Sequence, residues 1–400
     1  MNLPWTYVGR VNCVTGYGAA ARHQLHVLRK AGLRFKIQDA GSAASPDPAG
    51  RDPFVKAARE SDEGITATAG TIIHVSPNCA EEFRTKFPRP HVLVSVWETS
   101  KLPREWIELI NRYDQVWCAT QWQMRVYEHS GVDPSKLRHV TFAIDPELYD
   151  PDGVEHAYTR RLHNADDPHF VFGSVFQWTE RKAPQALIGA YLRAFQNGEK
   201  VCLLIKSYDG DSPTSSAEPN LNRLRNSFRR PKVFSGEGRP YHPRIELVGE
   251  HMPRQKLVSL FRGFDAYVST HRGEGWGLPL HEAALLGKAV IATDFSAPSE
   301  YLRGWHQGGA LCPVEYALEP PHNMNWQPYY TLDQDWANPS VESCSEWMES
   351  LYERWKEGLS LTLSTENCGR RAPFTPERQR LAQLVTLAGE QAHAALSELV

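Results

Sequence analysis

The chain has no long run of apolar residues and no paired-cysteine motif. No window approaches the ~18 consecutive apolar residues that a membrane-spanning helix needs, and the opening MNLPWTYVGRVNC lacks the apolar core of a signal peptide. The seven cysteines are scattered, odd in number and without a CxxC pair, which argues against a disulfide framework and against a zinc site. These features predict reduced thiols and a cytoplasmic location.

A large excess of charge of one sign is also missing. The 44 basic and 47 acidic residues leave a formal net charge of −3 over 400 residues, so the overall charge does not indicate a nucleic-acid or membrane partner. One local exception is the basic stretch NRLRNSFRRPK at 222–232, within a polar insertion. Such a run is more often a solvated helix face than a phosphate-binding surface, but it leaves nucleic acid open as a partner.

The order of apolar patterns along the chain predicts two α/β domains. A chain of 400 residues exceeds one ordinary core. Short strand-like runs alternate with amphipathic helical runs on both sides of a charged stretch at 150–168, which is typical of parallel sheets with crossover helices. Strands are predicted at 34–39, 71–76, 91–97, 115–119, 137–142, 170–176, 201–207, 244–249, 265–270 and 289–294.

These patterns divide the chain into two Rossmann-like domains and a terminal helix. We predict a first domain at 1–160 and a second domain at 161–375, facing each other across a cleft. Apolar residues at helical spacing in 376–397 predict a helix, and we expect 376–400 to return to the first domain.

The richest motif is STHRGEGWGLPLHEAALLG at 269–287, directly after a predicted strand. Its glycines allow close approach of a ligand to the backbone, and the amides at the start of the following helix suit a phosphate. Glu274 and Glu282 flank this turn, and each carboxylate can accept two hydrogen bonds from a sugar diol. The spacing therefore predicts a nucleotide-sugar site. The residues predicted to line the diphosphate are Gly275, Trp276, Gly277 and Leu278.

The continuation of this motif resembles a known family. GEGWGLPLHEAALLGKAVIATDFSAPSEYL resembles the E-x7-E signature of the retaining GT-B glycosyltransferases of family 4. The segments VTGYGAAARHQLHVLRKAG, VSVWETSKLPREW and NWQPYYTLDQDWANP are similar to other parts of that family. The resemblance implies the GT-B fold. It also implies transfer of a hexosyl or pentosyl group from a nucleoside diphosphate sugar to a hydroxyl, with retained configuration and without a metal or other cofactor.

The family places a cation on the diphosphate, and the resemblance gives this role to Lys182. An arginine usually stands five residues earlier in the family, whereas this chain has Gln177. Arg181, Lys206 or Arg272 could supply the second positive charge.

The first domain contributes further candidates. The glycine loop with Gly16 and Gly18 resembles the family's first loop, which approaches donor phosphate and acceptor. Many relatives have a histidine where this chain has Trp97 and Glu98. We predict Glu98, together with Glu274 and Lys182, as the catalytic set, with the acceptor beside Trp97 and Glu98. His74 fits a packed strand position better.

Two other classes of protein compete with the transferase. The loop at 16–21 reads G-x-G-x-x-A and Asp39 follows at the spacing of a dinucleotide fingerprint, so an NAD-dependent oxidoreductase or epimerase stays open. A protein that binds a nucleotide sugar without turnover is the other alternative. The acceptor is predicted to be a glycan or lipid-linked glycan, with a hydroxylated base of modified DNA as the weaker choice.

Overall fold

Each half of the chain forms a parallel sheet of six strands. The computed structural model describes residues 3–13, 15–41, 62, 64–149, 153–164, 166–209, 218–227, 242–250, 252–302, 310–324, 328–359, 361 and 376–399. The first sheet has the order β2-β1-β3-β4-β5-β6. Its strands are β1 (Trp5–Gly9), β2 (Phe35–Asp39), β3 (Thr71–His74), β4 (His91–Val94), β5 (Gln115–Cys118) and β6 (Leu137–His139).

Helices of the first half connect these strands. They are α1 (Gly16–Lys30), α2 (Pro77–Lys86), α3 (Arg104–Ile110) and α4 (Gln121–Ser130). Local sequence sets the limits of α4: the Thr120 side chain accepts a hydrogen bond from the amide of Gln123, and Gly131 ends the helix with φ of 106°.

The second sheet has the order β12-β11-β10-β7-β8-β9. Its strands are β7 (Phe170–Trp178), β8 (Val201–Asp209), β9 (Arg244–Val248), β10 (Ala266–Ser269), β11 (Ala289–Thr293) and β12 (Leu311–Val314), followed by a hairpin of β13 (Tyr316–Glu319) and β14 (Trp336–Pro339). The helices are α5 (Ala157–Leu162), α6 (Pro184–Ala194), α7 (Glu218–Ser227), α8 (Arg254–Arg262), α9 (Leu278–Leu285), α10 (Ala297–Leu302), α11 (Val341–Lys356) and α12 (Pro376–Ser397).

The central strands are buried because helices cover both faces of each sheet. All five residues of β11 are buried, as are all four of β3 and of β4. The strands that were predicted from apolar runs therefore coincide with strands of the structure. The sequence did not reveal β1, whose neighbours Arg10 and Asn12 interrupt the apolar pattern, nor β12 to β14 and α11.

The C-terminal helix returns to the first domain, as predicted. The side-chain amide of Gln115 donates to the carbonyl of Ala395 at 2.7 Å. Gly389 lies so close to α1 that a Cβ there would be 2.6 Å from that of Ala31. In the described part of the chain, no helix is both long and apolar enough to cross a bilayer.

The charged stretch predicted as a linker contains α5, which spans the predicted boundary at residue 160. The amide of His156 donates to the carbonyl of Ser259 at 3.0 Å, and Thr159 packs on Gly263, where a Cβ would lie 2.0 Å from its hydroxyl. This segment therefore packs on the second domain.

A half-buried histidine fixes the end of α5. His163 Nδ1 lies 3.1 Å from Glu155 and Nε2 lies 3.2 Å from Asp265, whose carboxylate also accepts from the amide of Val171. Burial alone would lower the pKa of His163, but hydrogen bonds to Asp265 and Glu155 raise it to about 9.

This shift predicts pH-dependent stability. A raised pKa contributes stability that is full below the unfolded value near 6.5 and is lost as pH rises through about 9. We expect His163→Gln to lower the free energy of unfolding by on the order of 2 kcal/mol at pH 6 and by much less at pH 10. Urea denaturation at pH 6 and at pH 10 measures the free energy of unfolding. His129→Gln is the control, because His129 is exposed. A deficit that is equal at both pH values would contradict this assignment.

Candidate active site

The strand order of the second sheet determines where its loops converge. Numbered within the domain, the order is that of Rossmann-type sheets, 3-2-1-4-5-6, so β7 and β10 are neighbours whose connections leave in opposite directions. Ligands of such sheets bind beyond the carboxyl ends of the strands at this point. β7 leads into a 3-10 turn at Glu180–Lys182, and β10 leads into the loop that contains Glu274. The predicted cation and the predicted carboxylate therefore meet.

Four charged side chains that are largely withdrawn from water form the centre of the site. Lys182 Nζ contacts Glu274 Oε1 directly, and Arg181 Nη1 lies 3.4 Å from Glu274 Oε2. The same guanidinium donates to the carbonyl of Gly273 at 2.7 Å, and its Nη2 lies 3.6 Å from Glu98 Oε1. Because Glu98 belongs to the first domain, this network joins both domains. The structure thus brings together Lys182, Glu274 and Glu98, the three residues predicted to be catalytic.

The pKa values show how the charges support one another. Burial alone would raise the pKa of Glu274, but Lys182 and then Arg181 lower it to about 2. Burial lowers the pKa of Lys182, and Glu274 partly opposes that shift. The pKa of Glu98 is raised, mainly by burial, although the charge of Arg181 opposes it. Glu274 is thus held as a carboxylate, whereas Glu98 is the more readily protonated of the two.

Two strained residues border this network. Ala183 has φ of 43° and Ser296 has φ of 66°, a backbone conformation that residues other than glycine rarely adopt. The Thr270 hydroxyl donates to the carbonyl of Ala183 at 3.0 Å, and the Ser296 hydroxyl accepts from the amide of Glu274 at 2.9 Å. These bonds hold the turn after β7 and the loop after β10 in place, which is a common feature of functional sites.

The glycines of the loop have a role that the sequence did not reveal. A Cβ on Gly275 would lie 2.5 Å from the Val96 side chain, and one on Gly273 would lie 2.0 Å from the carbonyl oxygen of Glu98. Both positions therefore allow the second domain to touch the first. Gly277 has φ of 80° and is the N-cap of α9, whose first residue is Leu278.

Trp276 lies inside the second domain. Its ring stacks on Tyr301 with centroids 4.1 Å apart, and its indole N–H donates to His281 at 3.0 Å. Its side chain is buried in this cluster, so the predicted contact with a donor is limited to its backbone.

The second glutamate of the motif is paired with an arginine. Glu282 is buried on α9, and Arg254 at the start of α8 contacts its carboxylate directly. The same arginine lies 3.1 Å from His23 of the first domain and covers the ring of Tyr149 at 5.2 Å. Burial raises the pKa of Glu282, and Arg254 opposes the shift.

The remaining predicted residues lie around the network. Lys206 is buried on β8 beside β7, and burial lowers its pKa. Arg272 forms ion pairs with Glu180 at 3.1 Å and Glu319 at 2.6 Å, so its charge is engaged outside the network.

In the first domain, the two predicted glycines differ. Gly16 begins α1, and a Cβ there would meet no atom within 4 Å. A Cβ on Gly18 would lie 2.0 Å from the carbonyl oxygen of Cys13. Gly18 therefore serves the packing of its own loop. Trp97 is buried beneath Tyr330, with ring centroids 5.0 Å apart. His74 is a packed strand residue, as expected, and its Nδ1 lies 2.7 Å from the Tyr7 hydroxyl.

Sequence reasoning missed several residues that join the domains. Glu300 on α10 accepts hydrogen bonds from the amides of Gln121 and Trp122, both at 2.8 Å, at the start of α4. Arg254 and Tyr330 were also missed. The only signal was the resemblance of the segments around Glu300 and Tyr330 to the family, and Arg254 had none. Contacts across a domain interface leave no periodic pattern.

The comparisons agree with this geometry. Residues 169–319, which lie in the second domain, match the family model described as glycosyl transferases group 1. This segment contains both glutamates, Arg181 and Lys182. No curated protein sequence matches the chain.

Solved structures of the same fold cover the whole chain. HepE from Anabaena, in complex with UDP and glucose, has a TM-score of 0.61 at 13% identity and covers 100% of both chains. Sucrose-phosphate synthase from Thermosynechococcus elongatus has a TM-score of 0.63 at 13% identity, covering 100% of this chain and 99% of that one. A UDP-forming trehalose-phosphate synthase from Burkholderia xenovorans has a TM-score of 0.58 at 12% identity, covering 100% and 99%. These similarities confirm the GT-B fold.

The close approach at Gly273 predicts that added volume opens the domain interface. In Gly273→Ala, the new methyl group collides with the backbone of Glu98, which cannot move away as a side chain end could. We expect a larger radius of gyration in small-angle X-ray scattering, with unchanged far-UV circular dichroism. Gly249→Ala is the control, because its nearest neighbouring atom is 4.0 Å away. Identical scattering from Gly273→Ala and the wild type would refute the assignment.

Proposed function

We propose that the protein transfers a sugar from a nucleoside diphosphate sugar to a hydroxyl acceptor, with retention of configuration and without a metal. The buried cluster of Lys182, Arg181 and Glu274 carries this proposal, because it lies at the ligand-binding edge of the domain that matches the glycosyl transferases. HepE was solved with UDP and glucose, and this supports UDP-glucose as the first donor to test.

Each charged group has a distinct task in this proposal. Lys182 and Arg181 hold the diphosphate, whose negative charge grows as the glycosyl bond breaks, and they thereby stabilise the transition state. Glu274 is kept ionised by the same two cations, so it can accept hydrogen bonds from hydroxyls of the donor sugar.

The helix that follows the loop completes the donor site. The backbone amides from Gly275 to Leu278, at the turn that leads into α9, suit the diphosphate because they precede the hydrogen-bonded turns of the helix. Glu282 on the same helix binds the ribose hydroxyls. This arrangement resembles the E-x7-E pattern of family 4, and it needs no metal because amides and cations neutralise the diphosphate.

The acceptor side is built by the first domain. Glu98 lies across the cleft from Lys182, where it can receive an acceptor hydroxyl, and Gly16 leaves the start of α1 open. We propose a glycan or lipid-linked glycan as the acceptor. Six described cysteines are free thiols, which supports a cytoplasmic, reducing location.

The strongest alternative is a protein that binds a nucleotide sugar without turnover. Slow release of free UDP from UDP-glucose separates the two functions, because only a transferase activates the glycosyl bond towards water or an acceptor. An oxidoreductase is not favoured, since the family match lies in the second domain and leaves the loop at 16–21 outside it.

A ligand panel tests the donor. We expect UDP-glucose to raise the apparent melting temperature more than the corresponding guanosine, thymidine and adenosine diphosphate sugars. A ligand at 100 times its Kd adds about 2.7 kcal/mol to the free energy of unfolding. No shift with any of the four sugars would oppose the proposed function.

Substitution of the cation tests its catalytic task. We expect Lys182→Ala to lower the kcat of UDP release about 10²–10³-fold, because one charge that stabilises the leaving diphosphate is lost. Lys200→Ala is the matched control, since that lysine is exposed and paired with Asp167. Near-normal turnover of Lys182→Ala would remove this lysine from the mechanism.

A further inference from the structure

A short segment of the second domain crosses onto the first domain beside the site. We call residues 329–335 the strap. The amide of Ser100 donates to the carbonyl of Asp335 at 2.8 Å, and the amide of Asp335 donates back to the Ser100 hydroxyl at 2.8 Å. Lys101 and Asp333 form an ion pair at 2.5 Å, and the Thr99 hydroxyl donates to Gln334 at 3.1 Å. The strap is therefore fastened along its length to residues 99–101.

Two adjacent tyrosines of the strap pack on two tryptophans of the first domain. Tyr330 stacks on Trp97 with centroids 5.0 Å apart and planes at 29°, and Tyr329 packs on Trp106 at the same centroid distance. The Trp97 indole N–H is held by Thr99 at 2.6 Å and by the Lys101 carbonyl at 2.7 Å. The ring of Tyr330 is thus seated on a fixed support.

Only one of the two tyrosines reaches the charged network. The Tyr330 hydroxyl donates to Glu98 Oε2 at 3.4 Å, while Oε1 of the same carboxylate faces Arg181. Glu98 is therefore held between a hydroxyl on the strap and a guanidinium that also contacts Glu274.

We propose that Tyr330 is a positioning residue that keeps the Glu98 carboxylate directed at Arg181, so that closure of the strap and alignment of the active-site cations occur together. The inference rests on the proposed function for its catalytic consequence. Tyr330 acts through Glu98 and does not itself touch the reacting atoms.

The charges around Glu98 explain why one hydroxyl matters. Groups that face Glu98 come from both domains and from the strap: Arg181, Lys182, Glu274, Tyr330 and Tyr17. Burial and Glu274 raise the pKa of Glu98, whereas Arg181, Lys182 and the hydrogen bond from Tyr330 lower it. Loss of that hydrogen bond raises the pKa further, and a protonated Glu98 no longer attracts Arg181.

A matched pair of variants tests the proposal. Tyr330→Phe keeps the ring on Trp97 and removes only the hydroxyl, and Tyr329→Phe makes the same change one residue earlier. For UDP release from UDP-glucose, we expect Tyr330→Phe to lower kcat about 10-fold, as for loss of a hydrogen bond to a charged group, with an unchanged KM for the donor. The acidic limb of its kcat/KM profile should move to higher pH by about one unit. Tyr329→Phe should match the wild type in both.

The outcomes separate this inference from the proposed function. Wild-type UDP release combined with equal behaviour of the two tyrosine variants would overturn the role of Tyr330 and leave the proposed function standing. Absence of release from the wild type would count against the proposed function alone.

A second measurement needs no turnover. In an infrared titration, subtracting the spectrum of Glu98→Gln from that of the wild type isolates the carboxyl signal of Glu98 and reports its pKa. The same subtraction between the Tyr330→Phe single variant and the Tyr330→Phe, Glu98→Gln double variant should give a higher pKa. An identical value would also refute the proposal.

Discussion

The site depends on a balance of four charges that are largely withdrawn from water, in which Lys182 and Arg181 face Glu274 and Glu98. Removing any one of them from water is costly unless an opposite charge lies close by. Three of the four belong to the second domain and one to the first, so the balance is complete only when the domains meet. The two cations are thereby concentrated at the edge of the sheet where a diphosphate would bind, and the protein holds them there with its own carboxylates.

The two glutamates of the loop show how environment gives similar side chains different properties. Glu274 has two cations beside it, and its pKa is held near 2 in spite of burial. Glu282 has one arginine, and burial prevails, so that its pKa is raised. Both carboxylates are suited to hydroxyl groups, but only Glu274 shares its cations with the proposed diphosphate site. Arg254 instead connects Glu282 to His23, which links α9 to the first domain.

Much of the fold was accessible from the sequence, because buried parallel strands are written as continuous apolar runs. All ten predicted strands exist, and α12 coincides with the predicted 376–397. The interrupted pattern before α1 concealed β1, and the strands after β11 were too short or too polar to recognise. Lys182, Glu274 and Glu98, which the structure brings together, were candidates because Lys182 and Glu274 each follow a strand and Glu98 lies in a segment that resembles the family. The sequence could not show that Arg272 is engaged by Glu180 and Glu319, or that Trp97 is covered by Tyr330.

The sequence alone determined the two α/β units, the terminal helix and the glycine-rich loop between two glutamates, because periodicity and local turn chemistry are properties of neighbouring residues. Only the tertiary structure decided which charged groups form ion pairs with one another. The sequence suggested that Gly275 makes room for a ligand, yet its missing side chain makes room for Val96, as that of Gly273 does for Glu98. Tyr330 and Glu98 are separated by more than two hundred residues and meet only when the strap crosses the cleft. Such contacts depend on how two finished surfaces fit together, which no local pattern encodes.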